Sequence, residues 1–178
     1  MQNNHSENFI LDSNCFITPS NEFYNFNLVP TFWKRLEDNN NYKFLNIIDR
    51  VKDEICREDD DDDKDDIQKW IESHFKGNII NTYDKEVLDN YRKVLSYVQN
   101  CGLYKENAFY QWSNIKVADP WLIATAMKYN YTIVTFEKRG NLQINNKTKS
   151  AKIPNVCDHF NVKCCSLYEM MSKLGIII

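Results

Sequence analysis

The sequence predicts an α/β fold with a mainly parallel sheet, because apolar runs of strand length alternate along the chain with helical segments. In the stretch 117–138, the mostly apolar run Trp121–Met127 has the composition of a buried helix, and the β-branched and aromatic run Tyr131–Phe136 that of a strand. A second clear helix is Lys85–Asn100, in which the apolar residues follow a period of 3.6 residues. A chain of 178 residues, 43% of them hydrophobic, fits one folded domain over 1–178.

The same patterns assign the other elements in chain order. Predicted strands are Asn8–Leu11, the short apolar segment Tyr42–Ile48, a short strand at Asn78–Thr82, Tyr131–Phe136 and Val162–Ser166. Predicted helices are Pro30–Leu36, Arg50–Arg57 with Asp49 as N-cap, a helix after Asp66 with Ile67, Trp70, Ile71 and Phe75 on one face, Lys85–Asn100, a helix from Pro120 to about Lys128–Asn130 with Asp119 as N-cap, and Leu167–Leu174. Pro154–Phe160 is predicted to be a short helix or a turn. Core positions on Lys85–Asn100 are Val87, Leu88, Tyr91, Val94, Leu95 and Val98. We expect irregular connections at Ser20–Val29 and Cys101–Lys116.

One low-complexity segment, Glu58–Asp66 with the sequence EDDDDDKDD, stands out between two predicted helices. Like charges at this density repel one another and resist packing, which favours a solvated loop leading into the next helix. A calcium-binding EF-hand loop would need alternating acids, a glycine at the sharp turn and a closing Glu. The run contains no glycine, so we expect an inserted acidic loop without a specific metal site.

Composition excludes several classes of function. The six cysteines include no CxxC pair, so we expect buried, reduced thiols rather than zinc ligands or disulfides. No apolar run approaches the roughly 18 residues that cross a membrane, so we expect a cytoplasmic protein. No glycine-rich phosphate loop is present, which excludes a P-loop NTPase. At a net charge of −3, any nucleic acid must be bound by a local basic patch.

Four acids have comparable settings in the predicted fold. Asp12 follows the first strand, Glu54 lies on the helix after Asp49, Asp119 begins a helix and Glu137 follows the strand Tyr131–Phe136. Taken alone, Asp12 could equally cap the next turn, and Glu54 could be solvated. Taken together, acids beside the C-terminal ends of parallel strands can meet at one edge of the sheet. Clustered carboxylates stay ionised only if cations neutralise them, and hard Mg²⁺ or Mn²⁺ ions suit oxygen ligands. Two such ions about 4 Å apart can activate a water for displacement at phosphorus.

Four motifs, in this order along the chain, resemble those of PIN-domain nucleases. They are LDSN after the first strand, the VKDEI helix, the ADPWLIATA helix and the strand IVTFE. Within that superfamily the chain is most similar to an uncharacterised subgroup with an ADPWLIA helix and a KIP–C segment, here Lys152-Ile153-Pro154 and Cys157. The resemblance covers nearly the whole chain and implies a PIN-like three-layer α/β/α sandwich. It also implies RNA cleavage at a Mg²⁺ or Mn²⁺ site of three or four acids.

The resemblance assigns roles to individual residues. Asp12, Glu54, Asp119 and Glu137 match the catalytic and metal-binding acids, and Ser13 and Asn14 match the small polar residues that orient ligands or water. Asp53 stands beside Glu54, and the choice between them depends on the phase of the helix. Most PIN domains have Asp where this chain has Glu137, and the wider family has a short linker in place of the acidic run.

Partners follow from the same considerations. RNA is expected to contact basic residues that come after Glu137, namely Lys138, Arg139, Lys147, Lys149 and Lys152. Many PIN domains are toxins of bacterial and archaeal toxin–antitoxin pairs. The resemblance therefore implies an antitoxin protein as a second partner, with a homodimer as a further possibility.

Three alternatives to a toxin stay open. The chain could be an RNA-processing nuclease, a PIN-like protein-binding module without activity, or another Mg²⁺-dependent phosphoryl enzyme such as a phosphatase. The full set of four acids favours an enzyme over the module, because a module has no reason to hold repelling carboxylates together. A phosphatase would need an acid two residues after its aspartyl nucleophile, where this chain has Asn14.

Overall fold

A computed structural model describes residues 7–38, 40–58 and 60–178, and it confirms the predicted α/β class. Within these residues, five strands form one parallel sheet in the order β3-β2-β1-β4-β5. The strands are β1 Phe9–Leu11, β2 Leu45–Ile48, β3 Asn78–Ile80, β4 Thr132–Val134 and β5 Cys164–Cys165. From β1 the chain continues to β2 and β3 on one side of the sheet. It then crosses to β4 and β5 on the other side of β1, so the direction of the connections reverses between β1 and β4. A parallel sheet opens a crevice at the C-terminal edge where this reversal occurs.

Helices cover both faces of the sheet. They are α1 Asn14–Thr18, α2 Pro30–Glu37, α3 Asp49–Ile55, α4 Asp66–Ser73, α5 Lys85–Asn100, α6 Glu106–Ser113, α7 Asp119–Tyr129, α8 Ile153–Phe160 and α9 Leu167–Leu174. In the central strand β1 every residue is at most 1% exposed, so side chains on both faces are covered. Such an uninterrupted apolar run is typical of a parallel strand enclosed by helices. The protein is therefore a three-layer α/β/α sandwich.

The packing of α7 against α5 fixes the position of the first turn of α7. Pro120–Ala126 of α7 are all buried, and the Trp121 ring stacks on Tyr91 of α5 with the ring centroids 3.8 Å apart. Asn130, in the left-handed conformation with φ 54°, ends the helix. The first turn of α7, which carries Asp119, is thereby held at the C-terminal edge of the sheet.

Two predicted helix caps are wrong by one residue. Asp119 and Asp49 are the first helical residues of α7 and α3, with Ala118 and Ile48 at the N-cap positions. The Asp49 carboxylate instead accepts hydrogen bonds from the hydroxyl of Thr82 at 2.8 Å and from its backbone N–H at 3.1 Å. A helix start depends on the backbone dihedrals of the preceding residue, which sequence patterns locate only to within one or two residues.

Three segments differ from the prediction in kind. The connection Cys101–Lys116 contains α6, whose buried residues Ala108 and Trp112 are too few to reveal a helical period. The loop predicted at Ser20–Val29 starts inside a π-helical turn, Pro19–Phe23, and Tyr42–Phe44 form a 3₁₀ helix before β2.

On α5, Val87, Tyr91, Val94 and Val98 are buried as predicted, whereas Leu95 is half-buried and Leu88 is exposed.

The acidic run forms an exposed loop, as predicted; Asp59 within it lies outside the described residues. Asp65 caps α4 by accepting a hydrogen bond from the backbone N–H of Gln68 at 2.8 Å. The buried side chain of Gln68 also closes the loop. Its Oε1 accepts hydrogen bonds from the backbone N–H groups of Arg57 and Glu58, each at 3.2 Å, and its Nε2 donates to the Glu58 carbonyl. The loop is therefore solvated along its length and fastened at its base.

The six cysteines are free thiols. Cys15 and Cys157 are buried, as predicted, and the other four are partly exposed. Among the described residues, no helix combines the length and the apolar character that crossing a membrane requires.

A candidate active site of four carboxylates

The four acids selected from the sequence lie together at the C-terminal edge of the sheet. Asp12 follows β1 directly, Glu54 lies in the last turn of α3 after β2, and Glu137 comes three residues after β4. Asp119 is the first residue of α7. Glu54 Oε1 accepts a hydrogen bond from the backbone N–H of Ala118 at 3.1 Å, which joins α3 to the start of α7 beside Asp119. The adjacent strands β2, β1 and β4 thus position three of the acids, and α7 the fourth.

The carboxylates are close enough to change one another's pKa. Burial, together with the charges of Glu54 and Glu137, raises the pKa of Asp12 to about 6. Burial, together with the charges of Asp12, Glu137 and Glu54, raises the pKa of Asp119 to about 8, while Lys152 acts in the opposite direction. Both shifts indicate a surplus of negative charge in a poorly solvated place.

Asp12 is the most enclosed of the four, at 2% exposure. Its Oδ2 accepts a hydrogen bond from the Thr135 hydroxyl at 2.9 Å. Ser13 Oγ and Asn14 Nδ2 also approach the carboxylate, each at a long 3.4 Å. These contacts hold the Asp12 side chain in one orientation, and both small polar residues lie where the sequence placed them.

Asp119 and Glu54 keep oxygen atoms available. In the described part of the chain, the Asp119 carboxylate accepts no hydrogen bond, and Glu54 engages only Oε1. Asp53 is exposed, whereas Glu54 is half-buried and turned toward α7, so the helix phase selects Glu54. An acid at the start of a helix is stabilised by the helix dipole, which favours keeping Asp119 there despite its neighbours.

Glu137 has both oxygens engaged. Its Oε1 forms a salt bridge with Lys152 Nζ at 2.6 Å, and its Oε2 accepts a hydrogen bond from the backbone N–H of Ile153, the first residue of α8, at 2.7 Å. The longer side chain of Glu, compared with Asp, allows this reach to α8. Glu137 therefore also anchors α8 beside the acid cluster.

The donor set is chemically suited to a hard divalent cation. Among the described residues, Lys152 is the only side chain that forms a salt bridge with any of the four acids. In the same part of the chain, no group of three or more Asp, Glu, His or Cys side chains is arranged so that it could hold a metal ion. Oxygen donors, uncompensated negative charge and the free carboxylate of Asp119 nevertheless match the preference of Mg²⁺ and Mn²⁺.

A family model described as "domain of unknown function (DUF4411)" matches residues 9–178. The chain belongs to this family. No curated protein matches the chain. The match includes all four acids and every strand of the sheet, so the DUF4411 domain and the described fold have the same extent.

The basic residues predicted to bind RNA lie in different places in this DUF4411 chain. Lys152 is turned to Glu137, and Arg139 forms a two-fold salt bridge with Asp158 at 2.7 and 2.8 Å. Lys138 is exposed beside Glu137. Two others are exposed on a loop that pairs with the segment before α6 and contacts none of the acids: Lys147, which lines a cavity with Tyr104 and Phe109, and Lys149.

Thr135 is a site residue that the sequence interpretation missed. Its hydroxyl donates to Asp12 and accepts the backbone N–H of Glu137 at 3.1 Å, so one side chain joins two of the acids. The side chain is 4% exposed. A hydroxyl two residues before an acid, directly after a strand, is the signal that could have identified it.

Proposed function

We propose that this protein is a metal-dependent endoribonuclease that hydrolyses phosphodiester bonds in RNA. The observation that carries the proposal is the meeting of four carboxylates at the reversal point of a parallel sheet, with one lysine to offset their charge. Proteins rarely hold repelling carboxylates together unless function requires it. The stability lost by raising the pKa values of Asp12 and Asp119 is explained if a cation normally shares the site.

In this proposal, Asp12, Glu54 and Asp119 hold Mg²⁺ or Mn²⁺, and Glu137 completes the acid set. A bound divalent cation supplies an activated water and stabilises the leaving oxygen. Thr135, Ser13 and Asn14 keep the Asp12 carboxylate oriented. In the described part of the chain, neither the Asp119 carboxylate nor Glu54 Oε2 has a hydrogen-bond partner, so no hydrogen bond has to break for these oxygens to bind a cation. Lys152 keeps Glu137 in place and limits the repulsion within the cluster.

RNA binding in the proposal relies first on Lys138, which is exposed beside the acids. Arg139 and Lys152 contribute from the same side, although each already has a carboxylate partner. Lys147 and Lys149 lie toward α6, so they would contact only an RNA that extends beyond the acid site in that direction. The basic surface is thus narrow, and an RNA must follow it in one direction from the acids.

The cellular role that we favour is a cytoplasmic toxin paired with an antitoxin protein, on the basis of the resemblance to PIN domains. An RNA-processing nuclease would use the same site. The engagement of Glu137 with Lys152 and Ile153 favours a second candidate, a protein-binding module in which the acids are structural. That candidate gives no reason for Asp119 to keep a carboxylate without a hydrogen-bond partner in the described part of the chain.

The test compares Asp119→Asn with the wild type and with a matched control, Asp66→Asn. Asp66 is exposed in the first turn of α4 and lies outside the site. Cleavage of a single-stranded RNA with added Mn²⁺ should fall by orders of magnitude in Asp119→Asn and stay unchanged in Asp66→Asn. Melting temperatures measured on all three proteins report folding. Full activity in a folded Asp119→Asn protein would refute the catalytic role and leave the binding module as the better account.

A further inference from the structure

Beside the acid cluster lies a groove of about 530 Å³, which we call the β4–β5 groove. Its lining includes Phe23 from the π-helical turn, Phe136 and Lys138 after β4, Cys165 and Ser166 at the end of β5, and Tyr168 from the first turn of α9. This size lies within the range of small-molecule sites in proteins. The groove follows the C-terminal ends of β4 and β5, just as the acids follow those of β2, β1 and β4.

Aromatic rings are unusually accessible in this groove. Phe23 is 46% exposed and Tyr168 is 51% exposed. The rings of Phe23 and Phe136 lie nearly parallel, with an interplanar angle of 19° and centroids 6.4 Å apart. Exposed aromatic faces that converge on one concavity indicate a binding site more often than scattered exposed rings do. The flat shape of these faces suits a flat ligand.

One basic side chain at the rim of the groove, Lys138, is placed to meet an anionic strand. The two acids of the groove already have partners: Glu137 pairs with Lys152, and Glu169 accepts hydrogen bonds from the backbone N–H and hydroxyl of Ser166 at 2.7 and 2.9 Å. Lys138 is exposed and, among the described residues, forms no salt bridge. Lys138 is therefore a cation free to contact a phosphate at the rim, whereas Glu169, bonded only to uncharged groups, keeps its negative charge.

The groove is continuous with the acid cluster. Thr135 and Glu137 line it, and the Thr135 hydroxyl lies 2.9 Å from Asp12 Oδ2. A polymer whose phosphate lay at the acids would therefore bring its neighbouring unit to the mouth of the groove.

We propose that the β4–β5 groove binds one unstacked base of a single-stranded RNA, whose backbone continues over the four acids. The proposal rests on the proposed function and adds to it a subsite for a base. Unpaired bases are commonly held by stacking on aromatic side chains, whereas the bases of a duplex are already stacked and paired. The groove thus selects single strands over duplexes, and Phe23 and Tyr168 provide the stacking faces.

The experiment measures binding apart from cleavage. A fluorescein-labelled octamer of uridylate is titrated with protein by fluorescence anisotropy, once with EDTA and once with Ca²⁺, and a gel confirms that the RNA remains intact. Phe23→Ala and Tyr168→Ala should each raise the Kd roughly 5- to 150-fold. The aromatic variants Phe23→Tyr and Tyr168→Phe should restore most of the affinity. The same octamer annealed to its complement should bind more weakly than the single strand.

The matched control is Tyr129→Ala, because Tyr129 is an exposed tyrosine at the opposite end of α7 from Asp119. This variant should have the same Kd as the wild type. Failure of the wild type to bind the octamer in either buffer would refute the proposal that the β4–β5 groove binds a base. So would an unchanged Kd in both alanine variants, the result expected if the groove holds a side chain of a protein partner. RNA binding that depends on Phe23 and Tyr168, without Mn²⁺-dependent cleavage, would support the groove and refute the nuclease. Mn²⁺-dependent cleavage that is unchanged in both alanine variants would support the nuclease and refute the groove as a base-binding site.

Discussion

Asp12 and Asp119, the two site acids whose pKa values are raised, make the stability of the metal-free protein depend on pH. Their pKa values in the folded protein are about 6 and about 8, above the ordinary value of 3.8, so the folded state binds protons more tightly than the unfolded chain. Stability from these groups is fully present below about pH 4 and is lost as the pH rises toward 8. The charges that face them are Glu54 and Glu137, with Lys152 in opposition.

We expect the melting temperature of the wild type, measured in EDTA, to fall between pH 5 and pH 8 relative to that of Asp119→Asn. The variant lacks one of the two carboxyl groups that titrate in this range and relieves the repulsion on the other, Asp12, so it should be more stable than the wild type by a few degrees at pH 8. Added Mn²⁺ should restore the wild type at pH 8 and have little effect at pH 5, where protons compete for the site. Parallel pH profiles for the two proteins would contradict the assigned pKa shifts.

Thr135 acts on the site through Asp12. Thr135→Val keeps the shape of the side chain and removes the hydroxyl that donates to Asp12 and accepts from Glu137. We expect the Mn²⁺ concentration for half-maximal cleavage to rise roughly 10- to 100-fold, as for other residues that orient a metal ligand. Thr135→Ser should restore it. A role in packing alone predicts a lower melting temperature with an unchanged Mn²⁺ requirement, and that result would refute the assignment.

At the level of single elements, the acidic loop depends on one buried amide. Gln68→Ala leaves the backbone N–H groups of Arg57 and Glu58 without their acceptor. Each of these part-buried hydrogen bonds contributes about 0.5–1.5 kcal/mol. We therefore expect a loss of this size in the free energy of unfolding, measured by urea denaturation, with Mn²⁺-dependent cleavage retained. Gln111→Ala, at an exposed position of α6, is the control. Equal stability of both variants would show that Gln68 does not hold the loop.

The elements that the sequence predicted well are those with long apolar patterns. The helix α5 carries an apolar period of 3.6 residues, and α7, β1 and β4 are continuous apolar runs; both kinds of pattern are visible without a structure. The helix α6 was missed because only two of its residues are buried, and the exact starts of α3 and α7 were missed because they depend on single dihedral angles.

For the molecule as a whole, the meeting of the acids could be predicted but the details of the site could not. Acids at the C-terminal ends of parallel strands share one edge whatever the order of the strands, but the pairing of β1 with β4 is what makes Asp12 and Glu137 neighbours. The role of Thr135 depends on the pairing of β1 with β4, in which Leu11 lies beside Val134. Ion pairs such as that of Arg139 with Asp158 join segments 19 residues apart, so no local pattern reveals them.

The central claim is that Asp12, Glu54 and Asp119 share a divalent cation, and a crystal of the wild-type protein soaked in Mn²⁺ tests it most directly. X-ray data collected near the manganese absorption edge locate the ion by its anomalous signal without any assumption about the reaction. We predict an anomalous peak in contact with these three carboxylates, and no peak there in crystals of Asp119→Asn. A wild-type crystal with Mn²⁺ only in the acidic loop 60–66, or with none at the three carboxylates, would contradict the account.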